Sequence, residues 1–179
     1  MPIEPADLAR FLDPSFLDDL EKRTMAQLRE ARSELQEAEG AISYVRRVVQ
    51  GRLDIVAAER QRRTGGSDGG GAADLLEQLP GILADSGSRS GNRLLSQLDP
   101  GDMAASLMAE LDRSIDPAQL TDLPAVSDEV LAELTDSMAV IERQLSENRR
   151  SVHDRIDRFQ AELVRRYQSG EASVDSLLG

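Results

Sequence analysis

Five polar side chains occur twice in this chain, in the same order and at the same spacing. The first set is Glu39, Ser43, Arg46, Gln50 and Asp54. The second set, 103 residues later, is Glu142, Ser146, Arg149, His153 and Asp157. At about 100° per residue, the spacing Glu-x3-Ser-x2-Arg-x3-Gln/His-x3-Asp confines five side chains to an arc of about 80° on an α-helix. Each set therefore predicts one polar stripe on one helix.

The residue types in the stripe indicate a class of ligand. Arginine makes two parallel hydrogen bonds to the O6 and N7 edge of guanine, or binds a phosphate. Carboxylates do not bind phosphate but accept from guanine N1–H and N2–H2, while serine, glutamine and histidine donate to phosphate oxygens. Alternating arginine and acid thus indicate a guanine nucleotide. Two copies of the set favour a two-fold symmetric ligand or two copies of one ligand, and an anionic, guanine-bearing, two-fold symmetric ligand is cyclic di-GMP.

The same residues also allow interpretations that involve no ligand. Acidic and arginine neighbours also stabilise an ordinary solvated helix face, although that does not explain the repeated serine and arginine. Further identities at the same offset are Arg47 with Arg150, Val49 with Val152, Arg52 with Arg155, Glu59 with Glu162, Arg62 with Arg165 and Arg63 with Arg166. The arginines at 47, 150, 52 and 155 either neutralise phosphates of the ligand or are ordinary surface arginines. No catalytic or metal-binding residue is predicted, because His153 has neither a cysteine nor a second histidine to complete a site.

A heptad pattern predicts two long helices that carry the stripes. The first covers residues 14–63, with Asp13 as its N-cap, and the second covers residues 127–168, with Ser127 at its start. One seam position of the first helix is occupied by Leu28, Leu35, Ile42, Val49 and Val56. With Ile42 or Leu145 at heptad position a, both stripes occupy positions e, b and f on one flank of the seam. In an antiparallel pair e faces e, so both stripes line one groove.

These elements predict an all-α fold: one helical domain over residues 1–179, built as a long antiparallel two-helix coiled coil with short helices in the connector. Pairing the motif centres places Arg63 near Glu133, where the connector begins and ends. Residues 64–126 are expected to form a flexible linker and short acidic helices, within 72–83, 93–98 and 102–111. Residues 169–179 are expected to be a disordered tail.

Composition excludes several classes of protein. The chain of 179 residues carries a net charge of -12, which argues against direct DNA binding, since affinity for nucleic acid comes largely from cations. It has no cysteine, so it has no disulfide, thiolate metal site or cysteine nucleophile, as suits a reducing cytoplasm. No apolar run approaches the ~20 residues that span a bilayer. We expect a soluble cytoplasmic protein whose acidic surfaces suit a basic protein partner.

The doubled pattern E-x3-S-x2-R-x3-Q-x3-D on two antiparallel helices resembles the RsiG family of anti-sigma factors. The first copy matches at all five positions, and the second matches at Glu142, Ser146, Arg149 and Asp157. His153 departs from the pattern. It still donates a hydrogen bond, and we expect its tautomer and charge to influence the affinity for nucleotide.

The resemblance implies a function. Members of this family bind dimers of cyclic di-GMP in a coiled coil and hold the sporulation sigma factor WhiG inactive in actinobacteria. It therefore implies that all ten stripe residues contact cyclic di-GMP, that a sigma factor is the partner, and that transcription of late sporulation genes is repressed. The competing interpretation is a ligand-free structural or scaffolding coiled coil. An enzyme is not expected, because no nucleophile has an adjacent activating group.

Overall fold

The computed structural model describes residues 6–65 and 101–170, and every regular element within those ranges is helical. In chain order the α-helices are α1 (Ala6–Leu12), α2 (Met25–Thr64), α3 (Gly101–Ser114), α4 (Pro117–Thr121) and α5 (Asp128–Ser169). Short 3-10 turns at Pro14–Leu17, Leu20–Lys22 and Leu123–Ala125 join them. The predicted all-α class is confirmed.

The two long helices, α2 and α5, form an antiparallel hairpin. Arg29 near the start of α2 hydrogen-bonds Tyr167 near the end of α5. At the opposite end, Arg63 Nη1 lies 2.6 Å from Asp128 Oδ1. The prediction that Arg63 lies near Glu133 is therefore wrong by more than one helical turn. The guanidinium is held instead by Asp128 and by carbonyl groups just before α5, which a pairing of motif centres does not anticipate.

A seam of apolar side chains holds the hairpin together. The predicted a-position residues of α2 are buried without exposed surface: Leu28, Leu35, Ile42, Val49 and Val56. Their counterparts on α5 are equally buried: Leu131, Met138, Leu145, Val152 and Phe159. Because the heptad repeat returns each of these residues to the same face, one apolar stripe on each helix covers the other. The stripe residues are consequently displaced to one flank of the seam.

The first long helix begins at Met25, so the prediction of a helix from Pro14 is wrong at its N-terminal end. Asp13 does act as a cap, but for the short turn Pro14–Leu17. The backbone then becomes extended at Asp18 and left-handed at Asp19, with φ of 55°, which ends any continuous helix. Thr24 restarts it through a capping box with Gln27.

The second long helix has the bounds that its end signals predict. The Ser127 side chain accepts a hydrogen bond from the Val130 amide, which satisfies one of the free donors of the first turn. Gly170 ends the helix with φ of 77°, a left-handed conformation that glycine adopts without a steric cost. The start and the end therefore lie within one residue of the predicted 127–168.

Two shorter helices pack on the hairpin as a third layer. Leu8 and Phe11 of α1 are buried. The Phe11 and Phe16 rings form a T-shaped pair with centroids 5.3 Å apart, and the Phe16 and Phe159 rings are tilted with centroids 5.7 Å apart. Along α3, Leu107 and Leu111 are buried against the same core. The predicted helix at 102–111 lies inside α3. The predicted helices at 72–83 and 93–98, most of the linker and the tail beyond Gly170 lie outside the described residues.

Candidate functional site

The middle of the hairpin brings stripe residues from both helices together, in two sets of hydrogen bonds across the groove. Across the groove, Arg46 Nη1 of α2 lies 3.1 Å from Glu142 Oε1 of α5. In the reverse direction, Arg149 Nε of α5 lies 2.7 Å from Glu39 Oε1 of α2. We call this group, with its serines and Gln50, the polar cluster: Glu39, Ser43, Arg46, Gln50, Glu142, Ser146 and Arg149.

Each glutamate of the polar cluster also binds a serine of its own helix. Ser43 Oγ donates to Glu39 Oε1 at 2.9 Å, and Ser146 Oγ donates to Glu142 Oε1 at 3.1 Å. Serine and glutamate four residues apart are neighbours on one helix face, so this contact follows from the spacing in the sequence. Each glutamate thus accepts a hydrogen bond from a serine of its own helix and from an arginine of the opposite helix. A pseudo-two-fold axis relates the two sets of contacts.

The last two positions of each stripe behave differently from the first three. Gln50 Nε2 donates to Glu142 Oε1 at 3.1 Å and so belongs to the polar cluster. Its counterpart His153 is exposed, and its Nε2 lies 4.0 Å from Asp157 Oδ2 instead. Asp54 and Asp157 are both exposed. The structure therefore brings seven of the predicted residues together and leaves Asp54, His153 and Asp157 at the margin.

Glu39 of the polar cluster is held in its ionised form by its hydrogen-bond donors. Partial burial of Glu39 acts to raise the pKa of its carboxyl group, but hydrogen bonds from Arg149 and Ser43 outweigh burial and lower this pKa below its usual value of 4.5. On the other side, Arg46 Nε is buried and has no hydrogen-bond partner in the part of the chain that the structure describes. The polar cluster therefore holds an ionised acceptor at Glu39 and one unused donor at Arg46.

The remaining arginines of the repeat divide into two kinds. Arg47 and Arg150 are exposed. Arg52 Nη2 instead binds Asp112 Oδ1 of α3 at 2.7 Å, and Arg155 Nη2 binds the Leu12 carbonyl of α1 at 2.6 Å. The latter two arginines attach the third layer to the hairpin, so a structural role accounts for them without a ligand.

The C-terminal turn of each long helix carries a second repeated group whose role the sequence did not reveal. Glu59 accepts from Arg62 Nε and from Arg63 Nε, both at 2.7 Å. At the same offset, Glu162 accepts from Arg165 Nε at 2.8 Å and from Arg166 Nε at 2.7 Å. We call these two groups the clamps. Both glutamates are held ionised, because the arginine hydrogen bonds lower the pKa of each from 4.5 to about 2.

The clamps bind the chain segments that precede the opposite helices. Arg63 Nη2 donates to the carbonyls of Leu123 and Val126, each at 2.7 Å, just before α5. Arg166 donates to the carbonyls of Leu20 at 3.0 Å and Arg23 at 2.6 Å, just before α2. Leu20 and Leu123 stand at the same 103-residue offset as the stripes.

The repeat therefore extends well beyond the stripes. The N-caps Thr24 and Ser127 share the 103-residue offset, as do Asp13 and Asp116, which cap short turns by accepting from the amides of Ser15 and Ala118. The sequence does contain a sign of the clamps, because the pattern Glu-x2-Arg-Arg occurs at the end of both long helices. Which groups they bind depends on the tertiary structure.

The described parts of the chain meet the requirements of neither a metal site nor a membrane-spanning helix. Within residues 6–65 and 101–170, no group of three or more histidine, cysteine, aspartate or glutamate side chains is placed to hold a metal ion. No helix in those two ranges is long and apolar enough to cross a membrane.

Comparison with known proteins identifies the same family that the doubled motif resembles. A family model described as RsiG-like matches residues 14–83 and 117–179, which include both long helices, both stripes and both clamps. A comparison with curated proteins found no match. Because the matched segments cover well over half of the chain, the protein belongs to the RsiG-like family.

Proposed function

We propose that this protein is an anti-sigma factor that binds cyclic di-GMP at the polar cluster and sequesters a WhiG-type sigma factor, so repressing late sporulation genes. Membership of the RsiG-like family suggests the anti-sigma role. The observation that carries the ligand is the polar cluster itself, in which two copies of one residue set face each other across the hairpin groove. In this proposal the protein binds its partners without catalysing a reaction, and it acts in the cytoplasm.

The polar cluster offers the chemistry that a guanine nucleotide requires. When Arg46 and Arg149 leave Glu142 and Glu39, each guanidinium presents parallel donors to a guanine O6 and N7 edge or to a phosphate. Each freed glutamate then accepts from guanine N1–H and N2–H2. Ser43, Ser146, Gln50 and His153 donate to phosphate oxygens, and Asp54 and Asp157 supply further acceptors at the two ends. The two-fold arrangement suits two cyclic di-GMP molecules bound as a dimer.

Binding of the nucleotide and of the sigma factor would be coupled. The groove is open along the flank of the hairpin, so a bound nucleotide would present its outer face to a protein partner. The sigma factor would then contact both the nucleotide and the acidic surface around α3 and α4, where the described residues from 101 to 136 include nine acidic residues and one arginine. A basic DNA-binding surface of a sigma factor complements that charge.

Calorimetric titration of cyclic di-GMP tests the proposal. We expect the native protein to bind and the Arg46→Ala, Arg149→Ala double variant to lose at least about tenfold in affinity, because each charge-assisted hydrogen bond contributes about 1.5–3 kcal/mol and part of this is offset by the ion pair that the arginine gives up. The matched control is Arg47→Ala, Arg150→Ala, which removes the same charge from exposed positions one residue away. It should bind like the native protein.

Two results would contradict the proposal. The first is the absence of heat when cyclic di-GMP is added to the native protein, both alone and with a WhiG-type sigma factor present. Alternatively, the Arg46→Ala, Arg149→Ala variant would bind as tightly as the native protein, although circular dichroism shows that both variants keep their helices. Either result would leave the polar cluster as a structural feature of the hairpin.

The second candidate is a ligand-free scaffold, which one observation favours. The arginines and glutamates of the polar cluster already bind one another, so the hairpin does not need a ligand to compensate their charges. The double variant Arg46→Gln, Arg149→Gln distinguishes a scaffold from a nucleotide sensor. Glutamine is preferred to an acidic substitution, which would place one carboxylate opposite another. A scaffold would keep its protein partner in this variant, whereas a nucleotide sensor would lose it.

A further inference from the structure

The polar cluster consists of two halves that differ at one position. The first, the Gln50 half, is Glu142 with its donors Arg46, Ser146 and Gln50. The second, the His153 half, is Glu39 with its donors Arg149 and Ser43, and with His153 where the first half has Gln50. The glutamate, serine and arginine are the same in both halves, so the exchange of Gln50 for His153 is the one difference in residue type among the side chains of these two sets.

The Gln50 half is closed by three donors that converge on one oxygen. Glu142 Oε1 accepts from Arg46 Nη1, Gln50 Nε2 and Ser146 Oγ, each at 3.1 Å. Arg46 Nη1 makes a second contact, to Ser146 Oγ at 3.4 Å. Only 27% of the Arg46 side chain is exposed. A ligand that takes Arg46 must therefore disrupt a network in a half-buried place.

The His153 half is held by fewer contacts and is more open to water. Glu39 Oε1 accepts only from Arg149 and Ser43 among the described residues. His153 is turned toward Asp157 and is 62% exposed, so it gives Glu39 no third hydrogen bond. Arg149 is 45% exposed.

Distance and exposure disagree about which half is weaker. The Arg149–Glu39 contact, at 2.7 Å, is shorter than the 3.1 Å contact of Arg46 with Glu142, and against the effect of burial it lowers the pKa of the Glu39 carboxyl group. Exposure and the number of donors decide the matter, because water replaces the partner of an exposed ion pair at little cost, whereas a shared network must be broken as a unit. The Arg149–Glu39 pair is consequently the weaker of the two.

We propose that the two halves open in order, and that an anionic guanine nucleotide first binds at Arg149 while Gln50 keeps the Arg46–Glu142 half closed. Gln50 and His153 are then the residues that set the difference in affinity between the halves. This inference depends on the proposed function for the identity of the ligand, but the unequal strength of the two ion pairs does not.

The first arm of the test uses the full-length protein without nucleotide. Double-mutant cycles in urea compare the Arg46–Glu142 pair with the Arg149–Glu39 pair, using glutamine substitutions. We expect the coupling of Arg46 with Glu142 to change the unfolding equilibrium about threefold to tenfold more, the value of one neutral hydrogen bond. Gln50→Ala should reduce this coupling alone. Equal couplings, or a stronger Arg149–Glu39 pair, would overturn the inference whether or not a nucleotide binds.

The second arm follows the Nε–H signals of Arg149 and Arg46 by NMR during titration with cyclic di-GMP. In the native protein, we expect the Arg149 signal to shift at a nucleotide concentration about threefold to tenfold lower. His153→Gln should remove the difference by closing the second half, and its matched counterpart Gln50→His should remove it by opening the first. Signals that move together in the native protein, or a difference that both variants preserve, would overturn the order. No shift at all would contradict the proposed function, and the first arm would still decide the inequality.

Discussion

Each arginine of the polar cluster is held by a glutamate of the opposite helix, so binding of a ligand there is an exchange of partners. Arg46 and Arg149 each use one guanidinium nitrogen on a carboxylate, so a base or phosphate that takes that donor displaces the glutamate. A charge-assisted hydrogen bond contributes about 1.5–3 kcal/mol, and the exchange retains only the difference between the old and the new contacts. The protein therefore keeps the charges of its groove paired, at a moderate cost in affinity for a ligand.

Asn148 allows a test at the residue scale. It stands one heptad after the buried Ile141 on the seam of α5, and its Nδ2 is buried without a hydrogen-bond partner among the described residues. We expect Asn148→Leu to raise the free energy of unfolding by about 1–3 kcal/mol in urea denaturation, since it removes an unsatisfied polar group. Asn148→Ala is the control and should gain less, because it leaves space unfilled. A loss of stability in the leucine variant would contradict this account of the seam.

The clamps act at the scale of elements. Each joins the C-terminal turn of one long helix to the segment that precedes the other, through arginine donors on backbone carbonyls. The carbonyls of such irregular segments need partners, and the clamps supply them. The cationic arginines also lie at the helix C-terminus, where the helix dipole favours positive charge. Arg63 and Arg166 therefore stabilise both the helix end and the segment that enters the opposite helix.

The clamp glutamates predict a dependence of stability on pH. Their pKa falls from 4.5 to about 2 on folding, so their contribution is complete above about pH 4.5 and is lost as the pH falls towards about 2. We expect Glu59→Gln with Glu162→Gln to lower the free energy of unfolding at neutral pH and to flatten its decline in that window. Urea denaturation at a series of pH values measures both effects.

Glu30→Gln with Glu133→Gln is the matched control, since both residues are exposed and stand at the same 103-residue offset. This control should retain the native decline of stability between about pH 4.5 and about pH 2. An equal decline in the clamp variant and the control would show that the clamps do not carry the effect.

At the scale of the whole molecule, the chain is built as two similar halves around a pseudo-two-fold axis. Stripes, N-caps, clamps and capped turns all recur at one offset, as Thr24 with Ser127 and Asp13 with Asp116 illustrate. The third layer follows the repeat only in part, because α1 has seven residues and α3 has fourteen. The groove between the long helices is consequently close to symmetric, whereas the surface formed by α1 and α3 is not.

The proposed function predicts reciprocal coupling. If cyclic di-GMP strengthens binding of a WhiG-type sigma factor by some factor, the sigma factor must strengthen binding of nucleotide by the same factor, about 5- to 150-fold for typical coupling. Calorimetry measures both factors, by titrating the sigma factor with and without nucleotide and the nucleotide with and without sigma factor. Arg47→Ala with Arg150→Ala should preserve them. Sigma binding that is indifferent to nucleotide would refute the coupling while leaving nucleotide binding itself intact.

Sequence alone determined the features that depend on periodicity and on local end signals. The heptad repeat predicted which residues are buried from Leu28 to Val56, and the doubled stripe predicted that Arg46 and Arg149 share one flank. Ser127 predicted the start of α5. These features could be predicted because capping and side-chain periodicity act over a few residues of one helix.

Only the tertiary structure decided how the elements meet. The break between Pro14 and Met25, the partner of Arg63 and the carbonyls bound by the clamps each depend on another part of the chain. The different behaviour of Gln50 and His153, which stand at equivalent positions, also depends on the side chains around them. The physical reason is that a hydrogen bond is satisfied only when donor and acceptor lie within about 3 Å, and register and packing of separate elements set that distance.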